Sequence, residues 1–182
     1  YAFDKLQQVP VGANTAAAMI AGQVAIGVLH LDDVATIAQK SPKKLVIIRT
    51  LKQAKPLSHY NLVAARADKL KTNRDRYVRV VAALIDAARA MYDPKNWDRV
   101  AQIATVTGHT KAEAKAALKQ FLAIEFWPKP GSDGLDRKRI EAEIAIQAKV
   151  GGIKPGNAPV TYDRLVDRTI WRDAAALVAK TK

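Results

Sequence analysis

A chain of 182 residues, 49% of them apolar and with a net charge of +13, is long enough for one ordinary domain or for one lobe and part of another. It contains no cysteine, which excludes thiol catalysis, cysteine zinc sites and disulfides but does not fix the compartment. No run approaches the roughly 20 apolar residues a spanning helix needs. The basic excess is spread along the chain, about +4 over residues 1–60, +4 over 61–110 and +5 over 111–182, as on a solvated face rather than a phosphate-tracking patch.

Residues 1–8 read as a helix end or connecting loop. Tyr1 is not a start methionine, and a portion preceding it is expected. Residues 9–33, VPVGANTAAAMIAGQVAIGVLHLDD, form a strand, turn, helix, turn, strand pattern. Val9 and Val11 begin it, Gly12 permits a tight exit, and Asn14 or Thr15 caps an Ala-rich helix over 15–21 that Gly22 stops. Residues 24–29, VAIGVL, are almost wholly apolar, which suits a strand buried on both faces of a parallel sheet. Asp32 or Asp33 then caps a helix over 34–40, ended by Ser41-Pro42. Residues 45–48 predict a third strand and residues 60–66 a fourth.

From Thr72 onward the pattern is helical. Thr72 with Asp75 can cap a long helix whose positions 77, 80, 81, 84, 85, 88 and 91 share one face. A shorter helix starts near Trp97 and stops at Gly108, and Thr110 with Glu113 forms a capping box for the next. Prolines and glycines make 127–134 an irregular loop. Ile140, Ile144, Ile146 and Val150 belong to a further helix closed by Gly151-Gly152, and a last helix covers 169–179. There is no internal repeat.

The histidines offer no metal pair at ligand spacing, and no phosphate loop, dinucleotide glycine pattern or nucleophile elbow is present, so neither a cofactor nor a metal is expected and the chain does not read as an enzyme. His109 sits in a turn before the capping box and reads as surface. His30 and His59 each stand at the end of a predicted strand, where a ligand contact and a loop hydrogen bond are both open. Asp32 and Asp33 can cap a helix or meet an amine, and Asn14 and Thr15 can cap a helix or present its amides to an anion.

Read in order, the 9–33 unit, Trp127-Pro128, Gly134-Leu135-Asp136, Arg139-Ile140-Glu141, Gly151-Gly152-Ile153-Lys154-Pro155 and residues 158–167 (APVTYDRLVD) resemble the C-terminal part of the periplasmic substrate-binding proteins of ABC transporters. The likeness is to the NMT1/THI5-like group for sulfonates, nitrate and thiamine precursors, and it covers nearly the whole chain. It implies an α/β, type II periplasmic-binding-protein-like fold with one βα lobe followed by a helical C-terminal part. Residues 1–58 would be the second-lobe unit, and residues 59–182 the hinge return and the helices added to the first lobe.

It implies a periplasmic or lipid-anchored extracellular protein that closes two lobes on a small polar solute and delivers it to a permease, with neither nucleic acid nor membrane insertion. Self-association is expected if the chain is a fragment whose helices lack their sheet. Asn14, Thr15, His30, Asp32, Asp33, His59 and Tyr60 would line the ligand face, because loops at the carboxyl ends of parallel strands converge. The pattern departs from the family at Ala25, where the family often carries Asp. The absence of cysteine sets the chain apart from the branch of yeast-type pyrimidine synthases. From a different class, net charge alone suggests a basic interaction module for nucleic acid or an acidic surface.

Overall fold

Residues 5–40, 45–59, 61–154, 156 and 158–180 are described by a computed structural model. The chain divides into two compact units. Unit 1 comprises Tyr1–Ile47 and Lys95–Ala123, and unit 2 comprises Ile48–Pro94 and Ile124–Lys182.

In unit 1, α1 (Thr15–Ile20) packs on α2 (Leu31–Lys40), and α2 and α6 (Trp97–Ala104) both pack on α7 (Lys111–Ala123). Small residues allow this close approach: Ala18, Ala35, Ala101, Ala114 and Ala117 are buried with Ile37 and Leu118. The buried Glu113 at the start of α7 completes the capping box. Its carboxylate accepts from the Thr110 N–H at 2.6 Å, and its own N–H donates to the Thr110 hydroxyl at 3.2 Å. Lys40 adds an ion pair at 3.2 Å, so the end of α2 is tied to the start of α7.

Unit 2 holds α3 (Leu51–Ala54), α4 (Ala67–Thr72), α5 (Arg74–Tyr92), α8 (Arg137–Lys149), α9 (Tyr162–Leu165) and α10 (Arg168–Lys180). Its main packing is α5 on α10, where Ala82, Ala174 and Val178 are buried and Val78, Val81 and Ile85 close around them. At the N-terminal ends of both helices, Arg74 pairs with Asp173 and also donates to the Thr169 hydroxyl. Asn73, not Thr72, stands at the N-cap of α5 and makes no side-chain cap bond, while the Thr72 hydroxyl donates back to the Asp68 carbonyl.

The expected α/β fold is corrected here. Among the described residues all regular structure is helical and there is no strand. Residues 9–11, 24–29, 45–48 and 61–66 are apolar-rich as read, yet they join no ladder. Much of their apolar surface stands in solvent, Val28 at 95% and Ile48 at 78% exposure. A short apolar run becomes a strand only when a neighbouring strand takes its N–H and C=O groups. Here the adjoining helices pack on one another instead of covering a sheet. Tyr60, placed at the start of the fourth strand, lies outside the described residues.

Candidate functional site

A cleft of about 990 Å³ opens within unit 2 between α4, the loop that enters α8, and the segment from α9 into α10. Backbone geometry shapes the loop first. Gly134 adopts φ +68°, and an added Cβ there would stand 2.7 Å from Pro128 Cγ, so only glycine fits both the left-handed turn and the proline beneath it. The Asp133 carboxylate accepts from the Leu135 N–H at 3.0 Å, and Asp136 caps α8 by accepting from the Arg139 N–H at 2.9 Å.

The far wall is tied to this loop by side chains. The Tyr162 hydroxyl donates to the Leu135 carbonyl at 2.8 Å, and the Arg137 guanidinium lies 4.1 Å from the centre of the buried Tyr162 ring. Arg137 also pairs with Asp163 and with Glu141, and Arg168 pairs with the buried Asp133 carboxylate. The Arg137 hydrogen bond holds the Asp163 carboxyl below the usual range, and the Thr169 hydroxyl does the same for Asp167.

The four aspartates of the lining are thus committed to guanidinium, hydroxyl or N–H partners. Lys71 and Arg164 also line the cleft. Arg164 donates to the Pro159 carbonyl at 3.0 Å, and among the described residues neither cation is ion-paired with a carboxylate. Leu70, Leu135, Leu165 and Val166 line the cleft alongside these groups, so it offers apolar surface together with hydrogen-bond donors. Its size and lining suit a small polar molecule.

Of the residues expected to share a ligand face, five lie in unit 1. Asn14 is exposed and makes no side-chain cap bond. Thr15 begins α1, and its methyl carbon would stand 2.7 Å from a Cβ at Gly27, so α1 lies directly against the 24–29 segment. His30 precedes α2, with its carbonyl accepting from the Val34 N–H at 3.1 Å. Asp32 and Asp33 occupy the first turn of α2, where negative charge complements the helix dipole. His59 belongs to unit 2, and Tyr60 is outside the described residues. The parallel strands that were to align these seven are absent among the described residues.

The structure does bring Asp32 to a residue that sequence reasoning left on the surface. His109 Nε2 lies 3.4 Å from the Asp32 carboxylate, and its Nδ1 lies 3.2 Å from the Thr36 hydroxyl. Asp32 and Thr36 are four apart on α2 and so share a face, a spacing readable in the sequence. The arrival of His109 from 73 residues beyond Thr36 has no local signal. In unit 2, burial foremost and Arg139 next lower the His59 pKa, with Asp136 and Glu143 opposing. Its Nε2 is buried without a hydrogen-bond partner among the described residues. No group of three or more His, Asp or Glu residues is arranged to hold a metal among the described residues.

Comparison with protein-family models, with curated proteins and with solved structures found no match.

Proposed function

We propose that this chain is a solute-binding component of an ABC importer of the NMT1/THI5-like kind. In this reading it captures a sulfonate, nitrate or pyrimidine-like molecule and hands it to a permease, without chemical conversion, in a periplasmic or lipid-anchored extracellular setting. The observation that carries it is the meeting of two segments on which the resemblance rests. Gly134-Leu135-Asp136 and the run from Tyr162 to Asp167 form opposite walls of one cleft, joined through Tyr162 and Leu135. A sheet-based clamshell forms no part of the proposal. Lys71 and Arg164, which line the cleft, are its candidate contacts; Asn14, Thr15, His30, Asp32, Asp33 and His59 are not among its lining residues.

Thermal unfolding of the chain with a panel of alkanesulfonates, nitrate and pyrimidines tests the reading. A ligand at about 100 times its Kd stabilises a folded protein by about 2.7 kcal/mol, which raises Tm by several degrees. The shift should survive a rise in salt from about 50 to 200 mM, whereas binding through phosphate contacts weakens steeply over that range. No shift with any of these solutes, alongside salt-sensitive binding to duplex DNA, would replace the solute reading with that of a basic interaction module.

A further inference from the structure

The unit 2 cleft is lined by four carboxylates and four cations, yet the two sets are not equally available to a ligand. Each carboxylate is already answered from within the protein. Arg137 pairs with Asp163, and Arg168 with the buried Asp133. Asp136 stands at the N-cap of α8 and accepts from the Arg139 N–H at 2.9 Å. Asp167 directly precedes α10 and accepts from the Thr169 N–H at 2.9 Å and from its hydroxyl. These last two carboxylates therefore face the positive ends of 13-residue helices, where negative charge is stabilised. Once those pairs are made, two cations of the lining are left over. Lys71 comes from the last turn of α4 and Arg164 from α9, and among the described residues neither is paired with a carboxylate. Arg164 gives one N–H to the Pro159 carbonyl, which leaves the rest of its guanidinium donors.

We infer, resting on the solute-binding reading of the cleft, that its solute is an organic acid with a carboxylate or sulfonate head on a short apolar body. Lys71 and Arg164 supply the positive charge that the head meets. Leu70, Leu135, Leu165 and Val166, which line the same cleft, supply apolar surface for the body. An amine would have to compete with a guanidinium or a helix N–H for every carboxylate of the lining. Nitrate would meet the two cations but leave the apolar surface in water. A neutral pyrimidine would leave both cations without a counter-charge.

Calorimetric titration of the full chain with butanesulfonate, pentanoate, nitrate, butylammonium and uracil tests this. Both acids should bind, at least about tenfold more tightly than the other probes. Lengthening the sulfonate from ethane to butane should lower Kd by up to about fourfold per methylene. Lys71→Gln and Arg164→Gln should each raise Kd for the acids about tenfold, with helix content by circular dichroism unchanged. Arg164→Lys, which keeps the charge, should lose less than Arg164→Gln. Acid binding that ignores both glutamine variants overturns the assignment, and so does nitrate bound as tightly as butanesulfonate. Uracil or butylammonium bound more tightly than either acid also overturns it, while leaving the cleft a solute site of another class. Binding of none of these probes overturns the assignment and the solute-binding reading together.

Discussion

The Tyr162 hydroxyl donates to the Leu135 carbonyl at 2.8 Å across 27 residues of sequence, and this bond joins the two walls of the unit 2 cleft. The Tyr162 ring is buried beneath the Arg137 guanidinium, which fixes the direction in which the hydroxyl points. Tyr162→Phe keeps the ring and removes only the donor. Leaving the Leu135 carbonyl unsatisfied should cost about 1–3 kcal/mol, read as a lower urea midpoint at unchanged slope. An unaltered midpoint would show that the bond does not close the cleft in solution.

Gly134 and Gly131 make a matched pair. Both have positive φ, +68° and +91°, but a Cβ at Gly134 meets Pro128 whereas one at Gly131 meets nothing within 4 Å. Gly131→Ala should therefore lose only the backbone cost of a left-handed alanine, about 1 kcal/mol. Gly134→Ala adds a steric clash and should lose at least about 1 kcal/mol more. Equal losses in thermal unfolding would mean that Pro128 gives way freely.

How much of this was legible in the sequence differs from element to element. The helices over α2, α5, α7, α8 and α10 follow from long apolar periodicity with stop signals, and Thr110 with Glu113 announced the start of α7 through spacing alone. Residues 24–29 and 45–48 misled because short apolar runs report burial potential and not pairing: whether Val28 meets a neighbouring strand is a long-range fact. The cleft was half visible, since Gly134-Leu135-Asp136 and the Tyr162 to Asp167 run stood out as motifs. Their meeting depends on Tyr162 reaching Leu135, which no local pattern encodes. Likewise, Asp32 was singled out as a cap or contact, while its partner His109 comes from a different helix boundary.

Glu113 makes unit 1 sensitive to acid. The Thr110 N–H first, then its hydroxyl, with Lys40 adding, hold the Glu113 carboxyl down to about 2 against the opposing effect of burial. A folded-state value below the unfolded one means that the stabilisation is complete above about pH 4.5 and is lost as pH falls toward about 2. Glu113→Gln should cost about 1 kcal/mol at neutral pH through the weakened capping box. The gap between variant and parent should then close on acidification. A gap that stays constant down the acid limb would separate the capping role from the charge.

His59 acts in the same direction as Glu113, in a window that opens at a higher pH. Burial disfavours the imidazolium, the Arg139 charge adds to this, and Asp136 and Glu143 offset only part of it, so the folded-state pKa lies below 6.5. The unfolded chain therefore binds the proton first as pH falls. Stability attributable to His59 is complete above about pH 6.5, declines as pH drops toward the folded-state pKa, and levels off beneath it. A proton NMR titration of the His59 ring should give a midpoint under 6.5. Arg139→Gln, which removes a cation while burial remains, should move that midpoint upward without restoring it fully. The same titration bears on the contact role that the sequence suggested, because a solute that hydrogen-bonds the buried Nε2 must select one protonation state and so shift the midpoint. A midpoint at or above 6.5 in the parent protein would show that the ring is solvated and that His59 has no buried nitrogen to offer.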